Sequence, residues 1–488
     1  MNKIYKVIRR MSVVVIGLVI LMSGNASADS ENAKQHTQYD EAWNAFIDGL
    51  QNARKTLIEQ QQFAPPNQDD RISAEGYRYL LAHLERMIDM NFRMDPKFPE
   101  FHASMNMLRK WTIENPDTMY LKAPIDATGY YKVIGKTANH EEWRTSERGV
   151  SGPKAPRMVT FQTITNVPGN TGGLQEMADC TNATLDFRNI FSLQVEDDGR
   201  FELLIGAEKP TGYQGNFLLS RKEMTCAATG AKTFRDANYL AVREIFSDWE
   251  NEQAMDMEIQ RLDSIGAERP PIAPVDVTHA LEKMATEMPN QIRFWNMLHE
   301  IPLEVYSDKN QDGRRNMPLN GINPPALPFT AGGVAGSKQL YAASSFQLAV
   351  DEALLVVVNA PAEPHYISFQ LGTPWGEGPD QQNYVSSLTG HQNPISSDGQ
   401  RYYIISATDP GVQGWVDTTG ATQGTHSMRF VFRDQPVDAN MPKAKASIVK
   451  LSELAKHLPA DHPKVSAEQR QTEIAIRQSH IKKRWRGH

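Results

Sequence analysis

The sequence predicts a mainly-β α+β protein: two related antiparallel β-sandwiches, jelly-roll-like, with N-terminal, connecting and C-terminal helices. Three observations carry this reading. Residues 115–253 and 338–436 are built from short runs of alternating apolar and polar residues separated by turn signals, the pattern of sandwiches and barrels. The stretches before, between and after them place apolar residues at helical spacing. The two β regions also repeat one another, in the same order, 200 residues apart.

Taken in order, the first 28 residues read as a signal peptide. Lys3, Lys6, Arg9 and Arg10 form a basic start, Val13 to Met22 is apolar, and Ala26-Ser27-Ala28 offers small residues for cleavage after Ala28. That run is too short for a lasting membrane span, and no later one reaches spanning length. The mature chain is therefore expected in the periplasm, or secreted, without an integral span. Residues 29–114 read as an N-terminal helical region with two stripes, one of Trp43, Phe46, Leu50 and Leu57, the other of Tyr77, Leu80, Leu81, Leu84 and Ile88. Ser73 is the expected N-cap of the second helix.

Residues 115–253 form the first sandwich, where Phe191–Val195, Asp198-Gly199 and Phe201–Ile205 read as a hairpin. Residues 254–337 are linker and connector, Pro-rich at Arg269–Pro274 and helical over Val277–His299. The second sandwich, 338–436, includes strands at Leu354–Val358, Tyr366–Leu371, Tyr402–Ser406 and Met428–Phe432. A C-terminal helical tail, 437–488, carries helices at Lys443–His457 and Ala467–Arg484.

The repeat rests on several pairings. Asp198-Gly199, a strand, Ala207 and Pro210, then Gln214-Gly215 and Phe217 match Asp398-Gly399, a strand, Ala407 and Pro410, then Gln413-Gly414 and Trp415, with one residue deleted. Val159-Thr160-Phe161-Gln162 matches Ile367-Ser368-Phe369-Gln370, and Met119-Tyr120 matches Leu340-Tyr341. Shared positions are best explained by fold; polar or aromatic residues present in one copy only are the better functional candidates.

Charge excludes some partners. Losing the signal removes four positive charges and no negative ones from a chain of formal charge −7, leaving −11. Nucleic acid and anionic membrane are poor partners for such a surface. The basic cluster of Lys482, Lys483, Arg484 and Arg486 reads as a solvated tail. Cys180 and Cys226, the two cysteines, are most simply a disulfide in an exported chain.

Asn115-Pro116-Asp117-Thr118-Met119-Tyr120, together with Ser368-Phe369-Gln370-Leu371-Gly372, Trp375-Gly376-Glu377, Ser387-Leu388, His391-Gln392 and Asp409-Pro410-Gly411-Val412 before Trp415 and Asp417, carries a resemblance. These segments resemble the bacterial family called domain of unknown function twelve-fourteen, often found with its companion twelve-fifty-four. Gly414 stands where that pattern leads one to expect Asn. The resemblance implies a fold and export; it brings no established reaction.

Phosphate loops, dinucleotide fingerprints, the nucleophile elbow of serine hydrolases and zincin motifs are absent from the sequence. The candidates that remain lie mostly in the second β region. Glu377, Asp380 and His391 could perform general acid–base chemistry on a glycan or other small molecule. Asp117, Tyr120, Trp375, Asp409, Trp415 and Asp417 are candidate contacts to a small amphipathic or glycan-like ligand, with Trp as a platform. Carboxylates in Gly/Pro-rich loops also cap turns, so each of these has an ordinary structural explanation. Three readings stand: a ligand-binding protein with its site at the second sandwich, a periplasmic enzyme, or a structural or assembly factor. No cofactor is specified. Asp308, Asn310 and Asp312, followed by Gly313, match the start of a calcium loop, but Leu319 occupies the position of the closing Glu. A solvated turn and a structural calcium site are both open.

Overall fold

The computed structural model describes residues 37–58, 69–110, 114–145, 149–304, 318–327, 338–434 and 436–484. The signal peptide and the calcium-loop residues Asp308, Asn310 and Asp312 lie outside these residues.

Two sandwich halves share one strand plan. The first half runs β1 (His102–Ala103), β2 (Thr118–Pro124), β3 (Tyr131–Lys136), β4 (Met158–Ile164), β5 (Thr184–Asn189), β6 (Arg200–Gly206), β7 (Asn216–Leu219), β8 (Arg221–Thr225), β9 (Lys232–Asp236), β10 (Tyr239–Ile245) and β11 (Asp256–Arg261). The second runs β12 (Lys338–Gln347), β13 (Glu352–Asn359), β14 (Tyr366–Gly372), β15 (Ser387–Thr389), β16 (Arg401–Ser406), β17 (Trp415–Asp417), β18 (Gln423–Phe432) and β19 (Lys443–Lys450). One sheet of the first half is ordered β1-β2-β10-β4-β5, and its counterpart is β12-β18-β14-β15. The other two sheets are β11-β3-β6-β7 and β17-β16-β13-β19, the same order read from opposite ends. Even the exceptions coincide, since β6 pairs β7 in parallel and β16 pairs β17 in parallel. The β8–β9 hairpin is an insertion that only the first half carries.

Alternation puts one face of each strand into a core. Met119, Phe161 and Val242 meet Val133, Leu203 and Ile259 in the first half, while Leu340, Phe369 and Phe430 meet Val356, Ile405 and Val416 in the second. Each such side chain contributes about 1.5–3 kcal/mol on burial.

Helix α1 (37–58), α2 (Asp70–Phe92) and α4 (Pro274–Glu304) pack through Phe46, Leu57, Leu80, Met87, Met284 and Met288. Gly49 of α1 lies so close to Ala285 that a Cβ there would overlap its backbone. The short α3 (Glu141–Thr145) follows β3, and α5 (Ala467–Arg484) ends the described chain.

Several expectations are corrected. The N-cap of α2 is Asp69, whose Oδ1 accepts the Ile72 N–H at 2.8 Å; Ser73, four residues later, lies inside the helix. The apolar stripe read on this helix is only partly its buried face: Leu80 lies in the core and Leu84 packs against it, whereas Tyr77, Leu81 and Ile88 are exposed, as is Trp43 on α1. The buried face of α2 also includes Tyr79, His83, Arg86 and Asp89, because it packs partly on polar groups. Phe191–Val195 is not a strand, and no hairpin forms there; β5 and β6 belong to different sheets and the chain crosses between them. Lys443–His457 is strand β19 followed by a 3₁₀ turn; its Lys-Ala-Lys-Ala alternation is a period of two, not of 3.6. Strands β11 and β19 extend the sheets past residues 253 and 436.

Candidate functional site

The outward faces of β2, β4 and β10 and of β12, β14 and β18 carry the same three residues. Arg243 of β10 lies across from Tyr120 of β2 and donates to Gln162 of β4 at 2.7 Å. Arg429 of β18 lies across from Tyr341 of β12 and donates to Gln370 of β14. Each guanidinium sits over its tyrosine ring, at 5.8 and 5.6 Å respectively.

The second trio leads into a wider buried network through Gln370. Gln370 donates to the carbonyl of Glu114 at 2.6 Å, and Glu114 Oε1 accepts the Gly378 N–H at 2.9 Å. Lys110, also buried, donates to the carbonyls of Gly378 and Pro379 and to Gln381 Oε1, at 3.1, 2.9 and 2.8 Å. These bonds pin the loop after β14 so that Glu377 turns inward, fully buried, with Oε2 on the Arg78 guanidinium at 2.5 Å. Burial raises the Glu377 carboxyl, against the pull of Arg78, and raises Glu114 against the pull of Lys110. Burial in turn lowers the Lys110 ammonium. Glu377 Oε1 and Glu114 Oε2 have no hydrogen-bond partner among the described residues.

The Asn115-Pro116-Asp117 turn forms the second part of the network. Asp117 is buried and accepts the Tyr366 hydroxyl, while Asn115 also bonds that hydroxyl and its N–H donates to Tyr120. Burial pushes the Asp117 carboxyl up to about 6, opposed by the Tyr366 bond and by Arg484. Arg484 is not part of a solvated tail. It is buried, donates to the Pro116 carbonyl at 2.7 Å, and lies 4.8 Å from the Trp249 ring; Arg477 sits 4.9 Å from the same ring. Two cations on one indole replace the expected hydration of this helix end.

The remaining candidates separate. Trp375 is no open platform: its indole donates to the Ile72 carbonyl at 2.7 Å and stacks on Tyr79 at 6.1 Å between centroids. Asp380 caps the following turn through the N–H groups of Gln382 and Asn383. His391 pairs with Asp248 at 3.6 Å, and no contact joins it to Glu377 among the described residues. Asp409 binds Arg470, which also covers Trp415 at 5.2 Å; Asp417 caps Thr419. Gly414 has a φ of 82°, and a Cβ there would overlap the Tyr402 carbonyl, so only glycine fits where Asn was expected. Cys180 and Cys226 form a disulfide across 46 residues, Cα atoms 5.3 Å apart. Among the described residues, no group of three or more His, Cys, Asp or Glu could hold a metal ion.

Beside the pinned loop lies a cleft of about 120 Å³ between the start of α2 and the second half. Its lining includes apolar Phe346, Leu371, Ile72 and Pro374 and polar Arg71, Glu75 and Thr419. Arg71 donates to the Thr419 carbonyl and hydroxyl at 2.8 and 2.7 Å and to Glu75 at 3.0 Å. Sequence reading missed Arg71, Arg78, Lys110 and Glu114. Their signal, charged residues in segments that must fold against a sandwich, does not distinguish them from solvated helix charges.

No family model matches the chain, and no curated protein matches it. The crystal structure of an uncharacterised protein from Burkholderia cenocepacia is similar, at 23% identity and TM-score 0.65, covering 85% of this chain and 99% of that one. A Vibrio parahaemolyticus protein aligns over 84% of this chain and 100% of its own at 12% identity, with a TM-score of only 0.38. The Burkholderia likeness shows the fold. Among the described residues no helix is long and apolar enough to cross a membrane.

Proposed function

We propose that this is an exported protein, akin to the family of domains of unknown function twelve-fourteen, that binds a small ligand with polar and apolar parts beside the second sandwich. The disulfide is compatible with export. The observation that carries the binding reading is the mixed cleft. Arg71 is held by Thr419 and Glu75 yet keeps a side-chain exposure of 41%, so a charged donor is fixed in place beside apolar Phe346 and Leu371. That combination suits a glycan-like or other small amphipathic molecule, whose hydroxyl or carboxylate meets Arg71 while its apolar part enters the cleft. Catalysis is the weaker reading, because Asp380 and His391 are each engaged away from Glu377.

A thermal-shift screen with mono- and disaccharides and small hydroxy acids tests the reading. A ligand at 100 times its dissociation constant stabilises by about 2.7 kcal/mol. The shift should appear in the natural protein and vanish in Arg71→Ala. No shift with any compound, or the same shift in both proteins, would sink it.

A further inference from the structure

Three buried lysines behave differently. Lys110 gives its ammonium to three oxygens, and Lys154 lies 3.3 and 3.2 Å from the carboxylates of Glu142 and Asp248. Both are held by oxygen partners. Lys122 of β2 is 7% exposed, and its ammonium makes no hydrogen bond or ion pair with any described residue. Its one close partner is the Tyr239 ring, 5.2 Å away.

Its neighbours explain why no anion comes to it. Across β1 stands His102, and β10 supplies Tyr239 and Arg243. Helix α2 supplies Arg86 and Asp89, and the segment after β1 supplies Arg109. Helix α4 adds Glu287, placed near Arg86 and Tyr239. The nearest carboxylate, Asp89, is already bound to Arg109, Arg93 and His102 at 3.0, 3.1 and 3.2 Å. Burial, then Arg86 and Arg109, drive the Lys122 ammonium well below the ordinary lysine range, which favours the uncharged, nucleophilic form.

We propose that Lys122 is a nucleophilic amine that captures a small carbonyl compound carrying a carboxylate, of the 2-oxo acid class, as an imine. The nitrogen lone pair attacks the carbonyl carbon and forms the C–N bond. The carbonyl π pair moves to oxygen, which takes up one proton from nitrogen to give the carbinolamine. Loss of hydroxyl and the second nitrogen proton as water leaves the C=N bond, so the amine and the carbonyl compound become imine plus water. An amine kept neutral beside other cations is the arrangement that activates lysine for this chemistry. The surrounding Arg86, Arg109 and Arg243 favour a carboxylate on the captured molecule, and an amine only 7% exposed admits small compounds before large ones. This site is separate from the cleft at Arg71.

The full-length mature protein is incubated with glyoxylate or pyruvate and cyanoborohydride, digested, and mapped by mass spectrometry. Lys122 should be modified at least tenfold faster than exposed lysines such as Lys445 at pH 7. Its rate should climb less steeply from pH 7 to 9 than that of an ordinary lysine, which gains ~tenfold per pH unit over that range. Acetaldehyde, lacking the carboxylate, should label Lys122 more slowly than glyoxylate. Wild-type mapping needs no folded variant; Lys122→Arg, if it folds, should lose the label with other sites unchanged. Labelling confined to exposed lysines, a Lys122 rate that climbs like theirs, or equal labelling by acetaldehyde overturns the proposal.

Discussion

The Tyr366 phenol donates a 2.5 Å hydrogen bond to Oδ2 of Asp117, joining strand β14 of the second half to the turn that opens β2 of the first. Neither group reaches solvent, and Asp117 Oδ1 has no partner among the described residues. Removing the phenol oxygen therefore leaves a carboxyl deprived of its main donor. Tyr366→Phe should cost about 1–3 kcal/mol in urea unfolding. Because this bond opposes the effect of burial, the Asp117 carboxyl should also titrate higher in the variant. An unchanged midpoint would mean that the two halves are not joined here.

A second expectation concerns pH. Burial pushes Glu244 and Glu252 up to about 8, from 4.5 for an ordinary glutamate. Backbone N–H groups oppose it: Met255 donates to Glu244 at 2.7 Å and Ser247 to Glu252 at 2.6 Å. Between roughly pH 4.5 and 8 the folded protein keeps these protons while the unfolded chain has released them. Stability should therefore fall as pH rises through that window and level off above it. This is opposite to an ion-paired carboxylate such as Asp89, lowered on balance by His102 and Arg109 against the opposing effect of burial, which stabilises above its unfolded pKa. Glu244→Gln keeps an acceptor for Met255 without the charge. It should flatten the slope and gain on the order of 2 kcal/mol at pH 8. Melting curves from pH 5 to 9 on both proteins check the sign.

The Cys180–Cys226 bond ties the loop before β5 to the turn of the β8–β9 hairpin, which the second half lacks. Closing a loop of 46 residues restricts the unfolded chain, so Cys180→Ala with Cys226→Ala should lose about 2–4 kcal/mol. Reductant should lower the melting temperature of the natural protein to that of the variant and leave the variant unmoved.

What the sequence disclosed follows from where periodicity is strong. Gln162 and Gln370, paired by the repeat, occupy equivalent positions on β4 and β14, and Tyr120 and Tyr341 do so on β2 and β12. Strands buried on one face write that alternation plainly. Helix α2 hides its inner face from such a pattern, because that face touches polar groups and His83, Arg86 and Asp89 stand among its buried residues. The site was harder still. Glu377 could be picked out as a one-copy residue, but its partners Arg78 and Glu114 lie 299 and 263 positions away, and no local pattern links them. Trp375 was singled out for the same reason as Glu377, and its surroundings, not its type, decide that it packs.

That packing fixes the sign of one last substitution. Gly76 sits inside α2, where replacing glycine by alanine ordinarily stabilises by roughly 1 kcal/mol. A Cβ at Gly76, however, would come 2.7 Å from Cζ2 and 3.0 Å from Cε2 of Trp375. The indole has nowhere to retreat, being held by its bond to the Ile72 carbonyl and stacked on Tyr79. Gly76→Ala should therefore destabilise, by about 1–3 kcal/mol as an overpacked contact does. Trp375→Phe removes the ring that collides, at the cost of a cavity and the lost indole bond. If the clash is the cause, the two substitutions are coupled: adding Gly76→Ala to the Trp375→Phe protein should cost little or restore the helix gain. Denaturant midpoints for the four proteins of this cycle decide it. Equal penalties on both backgrounds would show that α2 and the loop after β14 are not in contact at Gly76, and the cleft they enclose would lose one wall.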